Sequence, residues 1–423
     1  MRTQVFRLPN SLRVITAELP GTQAASIAIY VGTGSRYEHR RLNGVSHYIE
    51  HMLFKGTRRR PDAMLISEAI EGAGGRMNAF TGKETTCYVA KVPFEKSALA
   101  MEVLADMLNE SLFDPDEFER ERKVIQEEIK RSQDSPAAWA GELLVQSVYG
   151  DQPMGWDIAG TVEIVGQVTR EDLLDYMAAW YVPNNMVVAV AGNIRSDEVV
   201  ALCEQYFGDR PAGELGTYTP VGPRVGADPV IVETRSITQA NLGIAARSVS
   251  RQDPDRWGLS MLSSVLGRGM SSRLFKEVRE RRGLAYSVGC GAARYYDTGL
   301  FSAHAGVAGE KVVETAQVIM DEFRKLLAEP VTEEELAKVR EYSVGDFRLG
   351  LEDSMAVARW LGEHLMTLHE VPEVEEVVQR LRGVTPQEIQ QVAQRIFVPG
   401  GFSVAVTGPH DHTEELRQVI HAI

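Results

Sequence analysis

Two histidines and a glutamate stand close together in the segment GVSHYIEHMLFKGT, residues 44–57. His47 and His51 are four positions apart, with Glu50 beside His51, and most of the surrounding residues are apolar. On an α-helix, positions i and i+4 project from one face, so both imidazoles can reach the same ion. Zinc binds neutral imidazoles, and a carboxylate on the same turn can act as a base toward an attacking water. The segment therefore predicts two ligands and the base of a catalytic zinc site.

An internal repeat provides a reference for this helix. Residues 168–193 and 384–409 align without a gap, and each has a capping Thr, an amphipathic stretch, a Val-Pro turn and a short apolar strand. In nearly the same register, His47 corresponds to Leu262, Glu50 to Val265 and His51 to Leu266. Ordinary core residues can therefore build such a helix, and the polar set in the first half is not required by the fold.

The repeat also predicts the domain organisation. Two homologous domains are expected at residues 1–210 and 228–423, joined by a Gly- and Pro-rich linker at residues 211–227. Short apolar strands occur in blocks that are separated by several amphipathic segments. This pattern predicts an α+β fold, in which each domain packs helices against a mainly antiparallel sheet.

Composition limits the partners and the compartment. With 423 residues, 44% hydrophobic and 25% charged, the chain is typical of globular proteins, and its net charge of −14 argues against nucleic acid and anionic membranes. Three cysteines without a CxxC pair suit a reducing compartment. The N-terminus lacks the features of a targeting segment, and no apolar run is long enough to span a bilayer. We expect a cytoplasmic protein without a membrane segment.

A candidate for a third metal ligand lies in FERERKVIQEEIKR, residues 118–131. Its apolar positions predict one buried helix face: Phe118, Val124, Ile125 and Ile129. Glu121 and Glu128 lie two turns apart along the same helix. From these residues alone, a charged helix with a solvated face is the better explanation of the segment.

Taken together, HYIEH and VIQEEI resemble the pitrilysin family of inverted zinc peptidases, which includes insulin-degrading enzyme and mitochondrial processing peptidase. GGRMNAFTGKETTCYV and the duplication resemble its processing-peptidase-like branch, in particular the beta subunit. The resemblance implies a zinc metalloendopeptidase with one Zn²⁺ per chain, bound by His47, His51 and Glu128. It also implies that Glu50 is the general base and that Glu121 orients a ligand imidazole.

Residues 74–92 predict a Gly-Gly turn followed by a hairpin. An ordinary hairpin is a sufficient explanation of this segment. The resemblance implies in addition that Asn78, Ala79 and Phe80 form an edge strand near the metal. A peptide substrate would then add to the sheet as a further strand.

In the second half, residues 271–288 carry Arg279 and Tyr286. Alone, the charged part predicts a solvated helix that ends at Gly283. The resemblance implies that Arg279 and Tyr286 bind substrate and stabilise the oxyanion. It further implies that they do so in trans within a homodimer, which closes a chamber around unfolded peptides.

Three alternatives remain for the function of the chain. It could be a non-catalytic core or scaffold subunit of the same fold, although such subunits have generally lost the zinc ligands. It could also be the active subunit of a heterodimer with an inactive homologue. A structural zinc site is disfavoured because such sites usually have four ligands rich in Cys. Manganese or cobalt could occupy the same ligands.

Overall fold

A computed structural model describes residues 1–422 of the chain. The strands in these residues are β1 Arg2–Arg7, β2 Arg13–Glu18, β3 Ala24–Val31, β4 Arg76–Thr81, β5 Thr86–Pro93, β6 Met186–Gly192, β7 Val230–Thr234, β8 Gln239–Ser248, β9 Ala285–Arg294, β10 Gly299–Ala308 and β11 Phe402–Gly408. The α-helices are α1 Val45–Leu53, α2 Ala63–Glu71, α3 Ser97–Glu110, α4 Pro115–Asp134, α5 Pro136–Tyr149, α6 Val162–Gln167, α7 Arg170–Trp180, α8 Ser196–Phe207, α9 Arg256–Gly267, α10 Val312–Ala328, α11 Glu333–Gly350, α12 Ser354–Thr367, α13 Val374–Gly383, α14 Pro386–Ile396 and α15 Thr413–His421. A π-helix covers Phe275–Arg281, and short 3₁₀ turns occur between the longer elements.

Packing divides the described chain into two compact units. Unit 1 consists of Met1–Lys130, Asp157–Thr219 and Arg348–Val371, and unit 2 of Arg131–Trp156, Pro220–Phe347 and the described residues from Pro372 onward. The division expected at residues 211–227 follows the sequence repeat, whereas packing places two helices differently. Helix α5, from the N-terminal half, belongs to unit 2, and α12, from the C-terminal half, belongs to unit 1.

The sheet of unit 1 has the strand order β1-β2-β6-β3-β5-β4, with β2 and β6 parallel and the other neighbours antiparallel. Successive residues of β3 face opposite sides: Ile27 and Ile29 pack in one core, and Ala28 and Tyr30 in another. All four are at most 2% exposed. The sheet is therefore buried on both faces, and its apolar strands are rich in β-branched residues for this reason.

Helix α12 covers one of these faces, and helices that include α1 and α3 cover the other. The hydroxyl of Tyr30 donates to the carbonyl of Arg359 at 3.1 Å, and the hydroxyls of Ser26 and Ser354 lie 2.9 Å apart. These bonds fix α12 against β3. Helix α1, which carries His47 and His51, thus packs on a sheet whose opposite face is covered by α12.

Unit 2 repeats this topology. Its strand order β7-β11-β8-β10-β9 matches β2-β6-β3-β5-β4, and in both sheets only the first pair of this order is parallel. Both predicted capping threonines form capping boxes, Thr169 with Asp172 and Thr385 with Glu388. The predicted duplicated α+β fold is confirmed.

No helix among residues 1–422 combines the length and the apolar character needed to cross a membrane.

Candidate metal centre

Helix α1 presents its polar residues on a scaffold of core residues. Four apolar residues of this helix are fully buried: Val45, Ile49, Met52 and Leu53. The side chains of His47 and His51 remain 19% and 16% exposed. In unit 2, the corresponding α9 buries Leu262, Val265 and Leu266, as the repeat predicts. The apolar residues therefore account for the packing of this helix, and the imidazoles are not needed for it.

The start of α1 is held by a buried carboxylate, Glu38. Its Oε2 accepts hydrogen bonds from the backbone N–H of Gly44 at 2.8 Å and from Nδ2 of Asn43 at 3.1 Å. Its Oε1 accepts from the N–H of Ser46 at 2.9 Å. These two oxygens satisfy otherwise unpaired N–H groups at the start of the helix. Burial raises the pKa of Glu38, and the hydrogen bonds that it accepts oppose that effect. Glu38 fixes the end of the helix from which His47 projects.

The second helix of the site, α4, is anchored to α1 by aromatic contacts. The rings of Tyr48 and Phe118 stack with centroids 4.8 Å apart, and the Tyr48 hydroxyl donates to the Phe118 carbonyl at 2.5 Å. Ile125 and Ile129 are buried along the same helix. These contacts set the rotation of α4, and with it the direction of Glu121 and Glu128.

The predicted ligands come together at one point. The ligand atoms of His47, His51 and Glu128 all lie within 4.8 Å of one another. Oε2 of Glu128 is 3.3 Å from Nε2 of His51 and 3.9 Å from Nε2 of His47. Ligand atoms of a tetrahedral zinc site are roughly 3.3 Å apart when the bonds are about 2.0–2.1 Å long. The Glu128–His51 distance matches this value and the Glu128–His47 distance is longer by only about half an ångström, so a small closing of the side chains would suit zinc.

A hydrogen bond on the far side of the ring fixes the tautomer of His51. Its Nδ1 lies 2.9 Å from Oε2 of Glu121, whose other oxygen is 2.7 Å from Nζ of Lys55. Burial raises the pKa of Glu121, but the hydrogen bonds from His51 and Lys55 outweigh it and lower the pKa overall. An ionised Glu121 accepts a hydrogen bond from Nδ1–H of His51. The proton therefore stays on Nδ1, and the lone pair of Nε2 faces Glu128. Nε2 of His51 and Oε2 of Glu128 both carry lone pairs and lie 3.3 Å apart, so they can bind one cation between them.

The surroundings of His47 keep its ring neutral. Burial, followed by the charge of His51, lowers the pKa of His47 to about 4. Its Nδ1 is buried without a hydrogen-bond partner, so no protein contact stabilises a proton on that nitrogen. Neutral imidazole is the form that binds a metal. The residues present therefore fit zinc in charge as well as spacing.

Glu50 lies on the same helix, next to the ligands. Burial raises its pKa, and the hydrogen bond from Thr81 opposes that effect. The Thr81 hydroxyl donates to Oε2 of Glu50 at 2.5 Å. A raised pKa makes a carboxylate a stronger base toward water. The arrangement suits the predicted base.

Strand β4 ends at Thr81 and forms the predicted hairpin with β5. It is the last strand in the sheet order of unit 1, so one edge is unpaired among the described residues. Asn78 is exposed, Ala79 is 9% exposed, and the Phe80 ring lies under the guanidinium of Arg359 at 4.6 Å. The end of this edge lies next to Glu50, the predicted base, because Thr81 contacts it.

Arg279 and Tyr286 lie together in unit 2. Arg279 belongs to the π-helix, and its Cζ is 5.4 Å from the centre of the Tyr286 ring. Tyr286 is 80% exposed and follows the start of β9, the edge strand that corresponds to β4. Gly283 adopts a left-handed conformation, φ 61°, as its predicted role at the end of the helix requires. The pair presents a cation and a phenol to the surroundings of unit 2.

The structure corrects one expectation and adds contacts that spacing did not predict. Val124 was predicted to be buried, but it is 40% exposed, because it lies on the α4 face that carries Glu121 and Glu128. Lys55 and Thr81 contact site residues that are distant in the sequence, so only the fold could reveal them.

Two family profiles match the sequence: "Insulinase (Peptidase family M16)" over residues 13–162 and "Peptidase M16 inactive domain" over residues 167–342. A relative from Streptomyces coelicolor, named an uncharacterized zinc protease, is 36% identical over 408 residues. This match covers 95% of the chain and 88% of the relative.

Solved structures share the fold. A protease from Helicobacter pylori has a TM-score of 0.88 at 22% identity, over 96% of this chain and 99% of that chain. A chain of Complex III2 from Candida albicans has a TM-score of 0.84 at 17% identity, over 98% of this chain and 99% of that chain. Proteins with this fold thus include both a protease and a component of a larger assembly.

Proposed function

Because this chain belongs to peptidase family M16, the insulinase or pitrilysin family, we propose that it is a zinc-dependent endopeptidase. Its substrates are unfolded peptides or presequence-like segments, as in the processing-peptidase-like branch of the family. The observation that carries this proposal is the convergence of His47, His51 and Glu128 within 4.8 Å. One Zn²⁺ per chain would be bound by these three side chains.

When bound, zinc would polarise the scissile carbonyl and lower the pKa of the attacking water. Glu121 keeps the Nδ1 proton of His51 in place, which directs Nε2 toward the ion. Glu50 accepts the proton of the attacking water on the carboxylate oxygen that Thr81 does not use. It then passes that proton to the leaving amine. No covalent intermediate with the protein is needed.

Substrate would be held by the free edge of β4. Asn78, Ala79 and Phe80 offer main-chain groups to an extended peptide, which gives affinity without a strict sequence requirement. The exposure of this edge and its contact with Glu50 through Thr81 support the proposal. A net charge of −14 favours cationic peptides.

Arg279 and Tyr286 would complete the site in trans. We infer a homodimer in which this pair, from one copy, binds substrate and stabilises the oxyanion at the metal of the other. The exposure of both side chains and their mutual contact support this role. A chamber closed by two copies would admit unfolded peptides and exclude folded proteins.

The proposed compartment is the cytoplasm. All three cysteines are free and buried, which suits a reducing environment.

A second candidate function is that of a non-catalytic scaffold subunit, which the likeness to a chain of Complex III2 brings into consideration. A related possibility is an active subunit paired with an inactive homologue. The complete ligand set and the base beside it favour a catalytic chain.

The proposal is tested by counting zinc in the purified protein and following cleavage of a quenched, basic, unstructured peptide. We expect one zinc per chain, loss of cleavage in a chelator and recovery when zinc is restored. A folded protein with the same basic segment inside its structure serves as the size control and should remain intact. Stoichiometric zinc without cleavage of any peptide would favour the scaffold function.

A further inference from the structure

Lys55 joins the residues of the metal site through its contact with Glu121. Nζ of Lys55 lies 2.7 Å from Oε1 of Glu121, and Oε2 of the same carboxylate lies 2.9 Å from Nδ1 of His51. Glu121 thus bridges an ammonium and a ligand imidazole, with one oxygen for each. The bridge is protected from solvent, because the Glu121 side chain is only 3% exposed.

The end of α1 determines where Lys55 lies. After Leu53, the backbone N–H groups of Phe54 and Lys55 still bond to the carbonyls of His51 and Met52, at 3.2 and 3.1 Å. These i→i−3 bonds tighten the last turn and keep Lys55 close to the end of α1, where its ammonium reaches the same carboxylate as His51. Gly56, with φ 133°, then turns the chain away.

Charge explains why a cation belongs at this position. Glu50, Glu121 and Glu128 bring three carboxylates to one partly buried place. A divalent ion leaves one negative charge uncompensated, and the ammonium of Lys55 neutralises it. Among the described residues, Lys55 is the only lysine or arginine paired with Glu121. Burying an uncompensated carboxylate is costly, so loss of Lys55 would disturb Glu121 first.

We propose that Lys55 is a positioning residue of the metal site, acting through Glu121 to hold the His51 ring with Nε2 directed at the ion. This inference rests on the proposed function, since it takes zinc as the ion. Lys55 touches neither the ligand-atom positions nor the base in the structure. Its effect is therefore expected in metal retention and ligand geometry rather than in substrate affinity.

The test uses the full-length protein with Lys55→Met, which keeps the aliphatic stem, and Lys55→Arg, which keeps the charge. Zinc affinity is measured by competition with a chromophoric chelator, and ligand geometry by the visible spectrum of the cobalt-substituted protein. Loss of an outer partner of a zinc ligand typically weakens the metal 10–100-fold, so we expect about tenfold for Lys55→Met. Lys55→Arg should recover to within about threefold of wild type, because a guanidinium can also pair with a carboxylate.

Two further variants separate the proposed route from a general loss of charge. Lys130→Met removes an exposed lysine whose partner on α4 is Glu127, and it should bind zinc as the wild type does. In Glu121→Gln, the added Lys55→Met change should have little further effect, because the residue through which Lys55 acts is already neutral. Lys55→Gln is tested alongside as a second neutral variant, should methionine impair folding.

Unchanged zinc affinity and an unchanged cobalt spectrum in Lys55→Met and Lys55→Gln would overturn the inference. Fully additive losses in the double variant, or an effect confined to KM, would overturn it as well. If the wild type binds no zinc, both this inference and the proposed function fail. If the wild type binds zinc and the variants behave as expected, but no peptide is cleaved, only the proposed function fails.

Discussion

The hydroxyl of Thr81 donates a hydrogen bond to Oε2 of Glu50 across 2.5 Å. Thr81 is the last residue of the edge strand β4, and Glu50 lies on the helix that carries both histidines. One hydrogen bond therefore connects the strand proposed to bind peptide with the proposed base. It fixes the carboxylate and leaves its second oxygen for water.

Replacing Thr81 with valine removes this hydrogen bond at nearly constant shape. We expect kcat to fall about tenfold, as for a base that is present but poorly oriented, with little change in KM. Thr81→Ser retains the hydroxyl and should keep most of the activity. Zinc content, measured in parallel, should be equal in all three proteins. A valine variant with wild-type kcat would show that the contact has no catalytic role.

Glu128 is proposed as the ligand supplied by α4, so Glu128→Gln should lose zinc. We expect an affinity at least about 100-fold weaker, because a neutral amide is a poor substitute for an anionic oxygen ligand of zinc. The matched control is Glu127→Gln, one residue earlier, whose side chain is 67% exposed and paired with Lys130. Metal analysis after dialysis gives the result. Equal zinc in the two variants would contradict the ligand assignment.

The neutral state of His47 predicts a pH dependence for the metal-free protein. Its pKa is lowered from the ordinary 6.5 to about 4, so between these values the unfolded chain binds a proton that the folded chain does not. The free energy of unfolding should therefore fall as pH drops through this window, by at most about 1.4 kcal/mol per pH unit from this residue. Above pH 6.5 the contribution is fully retained.

Substitution by leucine, the residue at the corresponding position 262, isolates this effect. The slope of stability against pH, from urea unfolding at several pH values, should be smaller for His47→Leu than for the wild type. His39→Leu, at an exposed histidine outside the site, should keep the wild-type slope. Identical slopes for His47→Leu and the wild type would contradict the prediction.

The trans arrangement predicts complementation between two inactive proteins. Glu50→Gln lacks the base, and Arg279→Ala/Tyr286→Phe lacks the pair that faces the substrate. Mixed dimers would contain one site with both sets intact, so random exchange should restore about a quarter of the wild-type activity. The heterodimer is quantified with two affinity tags. A confirmed heterodimer without recovered activity would rule the arrangement out.

Much of the site could be predicted because α1 separates its packing and chemical residues. Val45, Ile49, Met52 and Leu53 follow helical periodicity, and the repeat shows that leucines suffice elsewhere. The spacing of His47 and His51 then stands out against a core that does not need them. Glu128 was different: its helix reads as a solvated charged helix, and only the family resemblance singled it out.

Tertiary packing accounts for what the sequence did not indicate. Lys55 and Thr81 are identified only by their contacts with residues on other elements, Glu121 and Glu50. The sequence around each of them does not distinguish it from other surface residues. Val124 is predicted to be buried because it is apolar. Its position on the helix instead puts it beside Glu128, where it is 40% exposed. The repeat likewise follows covalent order and does not reveal that α5 and α12 pack in the units opposite to their halves of the sequence.

The role of Glu50 as general base is tested most directly by the cleavage rate of Glu50→Gln at full zinc occupancy. We expect one zinc per chain, as in the wild type, because the ligands are intact. We also expect kcat to fall about 10²–10⁴-fold, the usual contribution of a general base. Full zinc with wild-type cleavage would contradict the proposed chemistry.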